Sequence, residues 1–347
     1  MRTRRAEPEF LGRNNVIFFA AVVLIILLTA VIGYFIYITR LQKTPAKGTD
    51  PLFITAAEST ARTLWHAPDS NLIPPTEEGE LIRYGKELIA HTARYLGPEG
   101  KVKPISNGMN CQNCHLSAGT KPFGNNYAAV ASTYPKFRAR SGGIESMEKR
   151  INDCIQRSLN GQRLADDSRE MRAIIAWFQW VGKDVPKDSV PSGTGLSSLS
   201  DLDRAADPVG GKSVYEKHCL VCHGREGVGL KHPDSIEWTY PPLAGRHSYT
   251  TAAGLFRLSR FAGYVKSNMP HGTTFENPVL TDEEAWDVAA YVNSLERPVK
   301  VFQEDWPDIS KKPFDHPFGP YADSFSQAQH KYGPFGPIRL AQKPKSK

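Results

Sequence analysis

Five cysteines carry most of the chemistry that this 347-residue chain spells out. Four sit in two C-x-x-C-H motifs: "CQNCH", with Cys111, Cys114 and His115, and "CLVCH", with Cys219, Cys222 and His223. The motif reads as c-type haem attachment, in which two thiols form thioethers to the porphyrin and the adjacent histidine becomes the proximal iron ligand. A zinc ribbon would place its knuckles about 15–20 residues apart, whereas Cys111 and Cys219 are 108 apart. A dithiol redox pair would need a βαβ context that the sequence lacks. Two covalently bound c-type haems are therefore expected, with His115 and His223 on the irons.

Each iron has a sixth position. After the second motif a single methionine follows, Met269 in "SNMPHG", 46 residues beyond His223. His/Met ligation raises the reduction potential, which suits an electron exit. Lys266, His232, His247 and His271 are the reserve candidates there. Beyond the first motif three sulfurs compete: Met147, Cys154 and Met171.

Cys154, the fifth cysteine, lies in "RINDCIQRSLNG". Arg150 precedes it by four residues and Ser158 follows it by four, so a helix would stack guanidinium, thiol and hydroxyl on one face. Arg140, just upstream, could converge on the same place. An electropositive setting favours the thiolate. A thiolate can ligate iron, and arginines hold small oxyanions through charge-assisted hydrogen bonds. The alternative is a buried, inert cysteine. The charged neighbours Arg150, Asp153 and Arg157 argue for the reactive reading.

The elements that would position these residues are helical. Residues 76–97, 142–161, 168–183, 210–218 and 281–296 have helical patterning, with a Thr281/Glu284 capping box on the last. No stretch reads as a strand. The order helix, haem motif, loops, distal ligand and closing helix occurs twice, an internal duplication of architecture. The expected fold is mainly α, with two tandem class I cytochrome c-like domains behind an N-terminal transmembrane helix. The expected boundaries are a cytoplasmic N-terminus (1–15), a membrane anchor (16–38), a linker (39–75) and a first domain with the active-site haem (76–184). A Pro/Gly/Ser-rich linker (185–203), a second, electron-transfer domain (204–299) and an aromatic-rich tail wrapping over the domains (300–347) follow.

At this point the chain resembles the tetrathionate-forming thiosulfate dehydrogenases, dihaem cytochromes of the c type. The resemblance is carried by "NCQNCHLSAGTKPFGNNYA", "RINDCIQRSLNG", "CLVCHG", "NMPHG" and "SKKPFDHPFGPYADSFSQAQHKYGPF", and spans about residues 76–338. It implies His115/Cys154 ligation at the active-site haem and His223/Met269 at the relay haem. It implies an anion pocket lined by Arg140, Arg150 and Ser158, with Cys154 as the reactive group. Asn268 stands before Met269 where some relatives carry a lysine. The implied reaction joins two thiosulfates as tetrathionate, or runs in reverse. Electrons would leave for an acceptor such as a c-type cytochrome or a membrane oxidase.

Two other classes are open on sequence alone. One is a membrane-anchored dihaem relay serving a terminal oxidase. The other is a sulfur-carrier partner with a cysteine-ligated haem, against which the full second haem domain argues. The net charge of +7 mildly favours an anionic substrate or acidic partner. It is too small and dispersed for nucleic acid. Gly-rich phosphate loops and GxSxG or HExxH motifs are absent. The uncharged run 16–38 is long enough to cross a bilayer at about 1.5 Å per residue. Arg2, Arg4, Arg5 and Arg13 precede it, and Arg40, Lys43 and Lys47 follow, a slight bias. Haem attachment of this type occurs outside the cytoplasmic membrane. The chain is thus expected in the inner membrane, single-pass, with its haem domains in the periplasm.

Overall fold

The computed structural model describes residues 22–23, 26–34, 64–233 and 235–342. The apolar run 16–38 falls mostly outside these. Residues 22–23 and 26–34 are helical, and among the described residues no helix is long and apolar enough to cross a membrane. The expected segment 1–15 lies wholly outside the described residues, as does most of the expected linker 39–75. Everything that bears on the haem motifs belongs to the unit Arg62–Lys347.

In its first half, helix α1 (Glu77–Ala90) starts where the Thr76 hydroxyl accepts the Gly79 N–H. Glu77, Glu78 and Glu80 then face the positive end of the helix dipole. The single helix expected over 76–97 breaks at His91 and resumes as α2 (Thr92–Leu96). Short strands β1 (Lys136–Arg138) and β2 (Gly143–Glu145) pair antiparallel, with Phe137 opposite Ile144. Helices α3 (Met147–Arg157) and α4 (Arg169–Val181) complete this half. Its core gathers Leu88, Ile89, Leu96, Ile151, Ile155, Met171 and Trp177.

The second half holds α5 (Pro208–His218), a small β3 (Leu230–Lys231)/β4 (Trp238–Tyr240) hairpin, α6 (Leu258–Asn268) and α7 (Asp282–Ser294). The Thr281/Glu284 capping box at the head of α7 is formed in both directions. The two halves repeat one packing device. Where α1 crosses α4, a Cβ on Gly85 would lie 1.9 Å from the Ala173 carbonyl oxygen. Where α5 crosses α7, a Cβ on Gly211 would lie 1.9 Å from that of Asp287. Each crossing needs a glycine for backbone to meet backbone.

The two hairpins correct the expectation that the chain has no strands. Each is two or three residues long, too short for period-2 alternation to register in the sequence. The described part of the tail is built of turns, one 3-10 turn (Ile309–Lys311) and two short α-helices, α8 (Gln327–Tyr332) and α9 (Gly336–Gln342). Phe335 and Ile338 enter the second core beside Trp286. Buried His330 stacks on Tyr321 at 3.7 Å and bonds the Phe314 carbonyl and Asp323.

Candidate active site

Around the first C-x-x-C-H, the loops after α2 and the start of α3 enclose a cavity of about 230 Å³. Cys111, Cys114 and His115 line one side of it, and Arg150, Cys154 and Ser158 line the other. His115 is held from behind: its Nδ1 bonds the Asn125 carbonyl oxygen at 2.5 Å and its ring stacks on Tyr127. That bond fixes the tautomer and leaves Nε2 to face the cavity. Cys154 approaches from α3, close enough to hydrogen-bond His115. Arg150 and Cys154 on α3, and Ser158 at its C-terminal cap, all line this cavity.

The cysteines differ sharply in their thiols. Burial pushes Cys111 up to about 11, Cys114 up to about 12 and Cys219 up to about 11. Burial acts on Cys154 as well. The Arg150 guanidinium, the His115 hydrogen bond and a smaller effect of Arg140 outweigh it, and bring the thiol from 9.0 down to about 6. Cys154 is thus the cysteine whose surroundings are set for thiolate.

Of the expected site residues, Arg140 is the one the fold does not bring into this cavity. It lies just past the β1 strand, and its Nη2 donates to Asp153 at 3.0 Å. Asp153 also takes Lys149, at 3.1 Å. Arg140 borders a different cavity and reaches Cys154 only through its field. Arg138 and Lys136 line the Cys154 cavity instead, with Tyr127 and Tyr134. In "KFRAR" alternate residues share a strand face. Recognising the short β1 would have put Lys136 and Arg138 side by side on the cavity wall. Met147 borders the cavity too, whereas Met171 is fully buried in the core.

Around the second motif, Cys219, Cys222, His223 and Met269 line a cavity of about 560 Å³. His223 repeats the arrangement of His115: its Nδ1 bonds the Pro241 carbonyl oxygen at 2.9 Å. Met269 ends α6. Among the reserve candidates His271 borders this cavity, while Lys266 is drawn off to Asp282 and the Leu280 carbonyl, both at 2.7 Å. His232 and His247 are not among the described residues that line it.

Asn110 belongs to the walls of both cavities. Glu237, beside β4, collects His91, Arg94 and Asn110 from the first half at 2.7–3.0 Å. The Tyr264 hydroxyl donates to the Asn113 carbonyl. These contacts tie the first haem motif to the second half of the chain.

Both sets of residues fit a covalently attached haem. Each cavity holds two thiols and a histidine whose Nδ1 is already engaged, with a sulfur donor on the lining: Cys154 in the first, Met269 in the second.

Comparison with known proteins agrees. A family model described as SoxA/TsdA, cytochrome c domain, matches residues 101–186. A second, described as cytochrome C oxidase, cbb3-type, subunit III, matches residues 206–292. The chain is similar to a thiosulfate dehydrogenase of Allochromatium vinosum, at 35% identity over 72% of this chain and 90% of that one. It is also similar to a thiosulfate dehydrogenase of Psychrobacter arcticus, at 34% identity over 70% of this chain and 71% of that one. Among solved structures it resembles the thiosulfate dehydrogenase (TsdBA) of Marichromatium purpuratum in its "as isolated" form. That match has a TM-score of 0.63 and 30% identity, and covers 69% of this chain and half of that one. The chain carries two c-type cytochrome domains and two covalently bound haems.

Proposed function

This chain belongs to the thiosulfate dehydrogenase family, and from that premise we propose how its residues join two thiosulfates to tetrathionate. The observation that carries the reading is Cys154. Its thiol lies within hydrogen-bonding reach of His115 in the cavity, with Arg150 one helical turn behind it.

Thiosulfate is a dianion, and two of them repel. Arg150 and Arg138, with Lys136 and the Ser158 hydroxyl, offer charge and hydrogen bonds that hold the sulfonate ends. Held there, the sulfane sulfur of the first thiosulfate points at Cys154, a positioning and electrostatic contribution. The Cys154 thiolate and the first thiosulfate form an S–S bond and give up two electrons, leaving a cysteine S-thiosulfonate. The sulfane sulfur of the second thiosulfate then attacks the sulfane sulfur of the first. The bond to Cys154 breaks, tetrathionate leaves, and the thiolate is restored. Arg140 acts on this cycle from outside the cavity, by holding Asp153 and adding to the positive field at Cys154.

In our reading His115 and Cys154 would hold the haem iron in the first domain (76–184), Cys154 leaving it to react, and His223 and Met269 would hold it in the second (204–299). Haems held there would supply the one-electron chemistry that takes up the two electrons of the coupling, and would pass them to an acceptor such as a c-type cytochrome or a membrane oxidase. The same residues serve the reverse reaction, reduction of tetrathionate. We place the haem domains in the periplasm and assign the run 16–38 as a single-pass inner-membrane anchor, a reading supported by its length and lack of charge.

The test is turnover by the purified, haem-loaded chain without any partner protein. Thiosulfate is supplied with ferricyanide, and tetrathionate is counted against electrons. One tetrathionate per two electrons is expected, and Cys154→Ala should abolish it with both haems retained. Full activity in Cys154→Ala would refute the covalent route. Failure of turnover in both directions, with both haems reducible, would leave an electron relay.

A further inference from the structure

We propose that a second cavity, between the loop that precedes α6 and the start of the tail, is an anion site built for a small divalent sulfur oxyanion. It has a volume of about 260 Å³ and is bordered by Arg140, Arg257, Lys300, Lys312, Asp305 and Trp306. Nothing in the coupling reaction described above uses it.

The charge balance on its walls decides what it takes. Arg140 is matched by Asp153 at 3.0 Å. Arg257 is matched by Asp315, through Nε at 2.8 Å and Nη2 at 2.5 Å. Asp305 is matched by Arg157, through two bonds of 2.5 and 2.7 Å. Two lysines remain. Lys300 Nζ donates to the Gly161 carbonyl at 3.4 Å and lies over the Phe302 ring, with no carboxylate in reach among the described residues. Lys312 Nζ donates to the carbonyls of Phe318 and Pro320, at 3.0 and 2.9 Å, and lies over the Tyr321 ring; the carboxylate that acts on it, Asp305, is already paired with Arg157. Carbonyl oxygens satisfy hydrogen-bond donors but do not cancel charge, so two ammonium charges on this cavity have no carboxylate of their own.

A third group points the same way. The Trp306 indole Nε1 is buried and has no hydrogen-bond partner. A buried donor left unmade costs about 1–3 kcal/mol, and native structures rarely leave one unused. Two uncompensated positive charges and one free N–H complement a dianion with oxygen acceptors. A monoanion would leave one lysine uncancelled. The matched Asp305 carboxylate on the same wall disfavours anything larger or more highly charged.

Thiosulfate and sulfate share this chemistry. The choice of thiosulfate as the occupant rests on the proposed function, whereas dianion binding does not. One residue of its wall, Arg140, bonds Asp153, the neighbour of Cys154 on α3.

The experiment is calorimetric titration of the haem-loaded protein, reduced electrochemically so that it can take no electrons from thiosulfate. Sodium sulfate and sodium thiosulfate are titrated separately into wild type, Lys300→Gln and Trp306→Phe. Trp306→Phe removes one donor and keeps an aromatic, if smaller, ring; Lys300→Gln removes one charge at a partly exposed position. Soret spectra and thermal unfolding verify that both variants are folded. Wild type should show two binding steps with thiosulfate, one of which weakens at least about tenfold in each variant. The KM for thiosulfate turnover should stay within about twofold. The same weakened step with sulfate identifies a general sulfur-oxyanion site; its absence with sulfate restricts the site to the substrate. Identical isotherms in wild type and both variants would overturn the proposal, and would do so even if turnover is confirmed.

Discussion

Arg150→Gln is the substitution that best separates the proposed chemistry from a passive haem pocket. Arg150 lines the Cys154 cavity and is the leading group lowering the Cys154 thiol. Its removal acts twice. The lost charge-assisted contact to a bound anion is worth about 1.5–3 kcal/mol, or roughly 10- to 150-fold in kcat/KM. The thiol, now at about 6, moves back toward its ordinary 9.0. At pH 7 a thiol at about 6 is about nine-tenths thiolate, and one at about 9 is about one-hundredth. Losing the whole shift would therefore cost up to about 90-fold more. Because His115 and Arg140 keep part of it, a total loss of roughly 10²–10³ is expected. The assay is initial-rate ferricyanide reduction across thiosulfate concentrations from pH 5 to 9. The acid limb of the profile, which falls as the thiolate is protonated, should move to higher pH. Arg150→Lys keeps the charge but not the planar fork, and should lie between. A kcat/KM within threefold of wild type and an unmoved acid limb would refute the reasoning.

Three further outcomes follow from the packing. Asp305→Asn leaves Arg157, 4% exposed and stacked on Phe302 at 3.8 Å, without its bidentate partner; a loss of about 3 kcal/mol is expected, and thermal unfolding with less than about 1 kcal/mol of change would contradict it. His316, in the tail, is pushed down to about 4, chiefly by burial. The unfolded chain then binds more protons below about pH 6.5, so this contribution is present above that pH and fades as pH falls toward 4. The ring is partly exposed, so the effect is discounted to about 1 kcal/mol, and His316→Asn should flatten that part of the stability–pH curve. Met269→Gly should change the visible spectrum of the second haem and lower its potential; an unchanged spectrum would hand the sixth position to another group, with His271 on the same cavity.

The helices could be read from the sequence because apolar spacing and caps are local signals. The capping box at Thr281 and Glu284 and the apolar spacing of α4 needed no distant partner. What the sequence did not disclose was set by contacts across long separations or by elements too short to show a period. The break at His91 follows that second rule: nothing in the apolar spacing marks it, and a single residue with φ −128° ends α1. Arg138 and Lys136 were missed because three strand residues make one and a half periods. Arg140 was placed in the anion pocket because its distance along the chain was short, while its guanidinium is committed to Asp153.

Helix α3 shows why a segment so rich in charge can be buried at all. Each of its faces serves a different neighbour, and i to i+4 spacing keeps the faces apart. Ile151 and Ile155 enter the first core. Arg150, Cys154 and Ser158 face the haem-motif cavity. Lys149, Asp153 and Arg157 form the third row, and their charges are met by each other, by Arg140 and by Asp305 of the tail. Asp305 lies 148 residues away from Arg157 in the chain, so the sequence displays the row but not its partner. The consequence for Cys154 is electrostatic. Because Asp153 is occupied by Arg140, Lys149 and Arg157, its negative charge is largely cancelled beside the thiol, and Arg150 is left to act on Cys154. Cutting Asp305 from Arg157 would therefore reach Cys154 through Asp153, although neither residue touches its cavity.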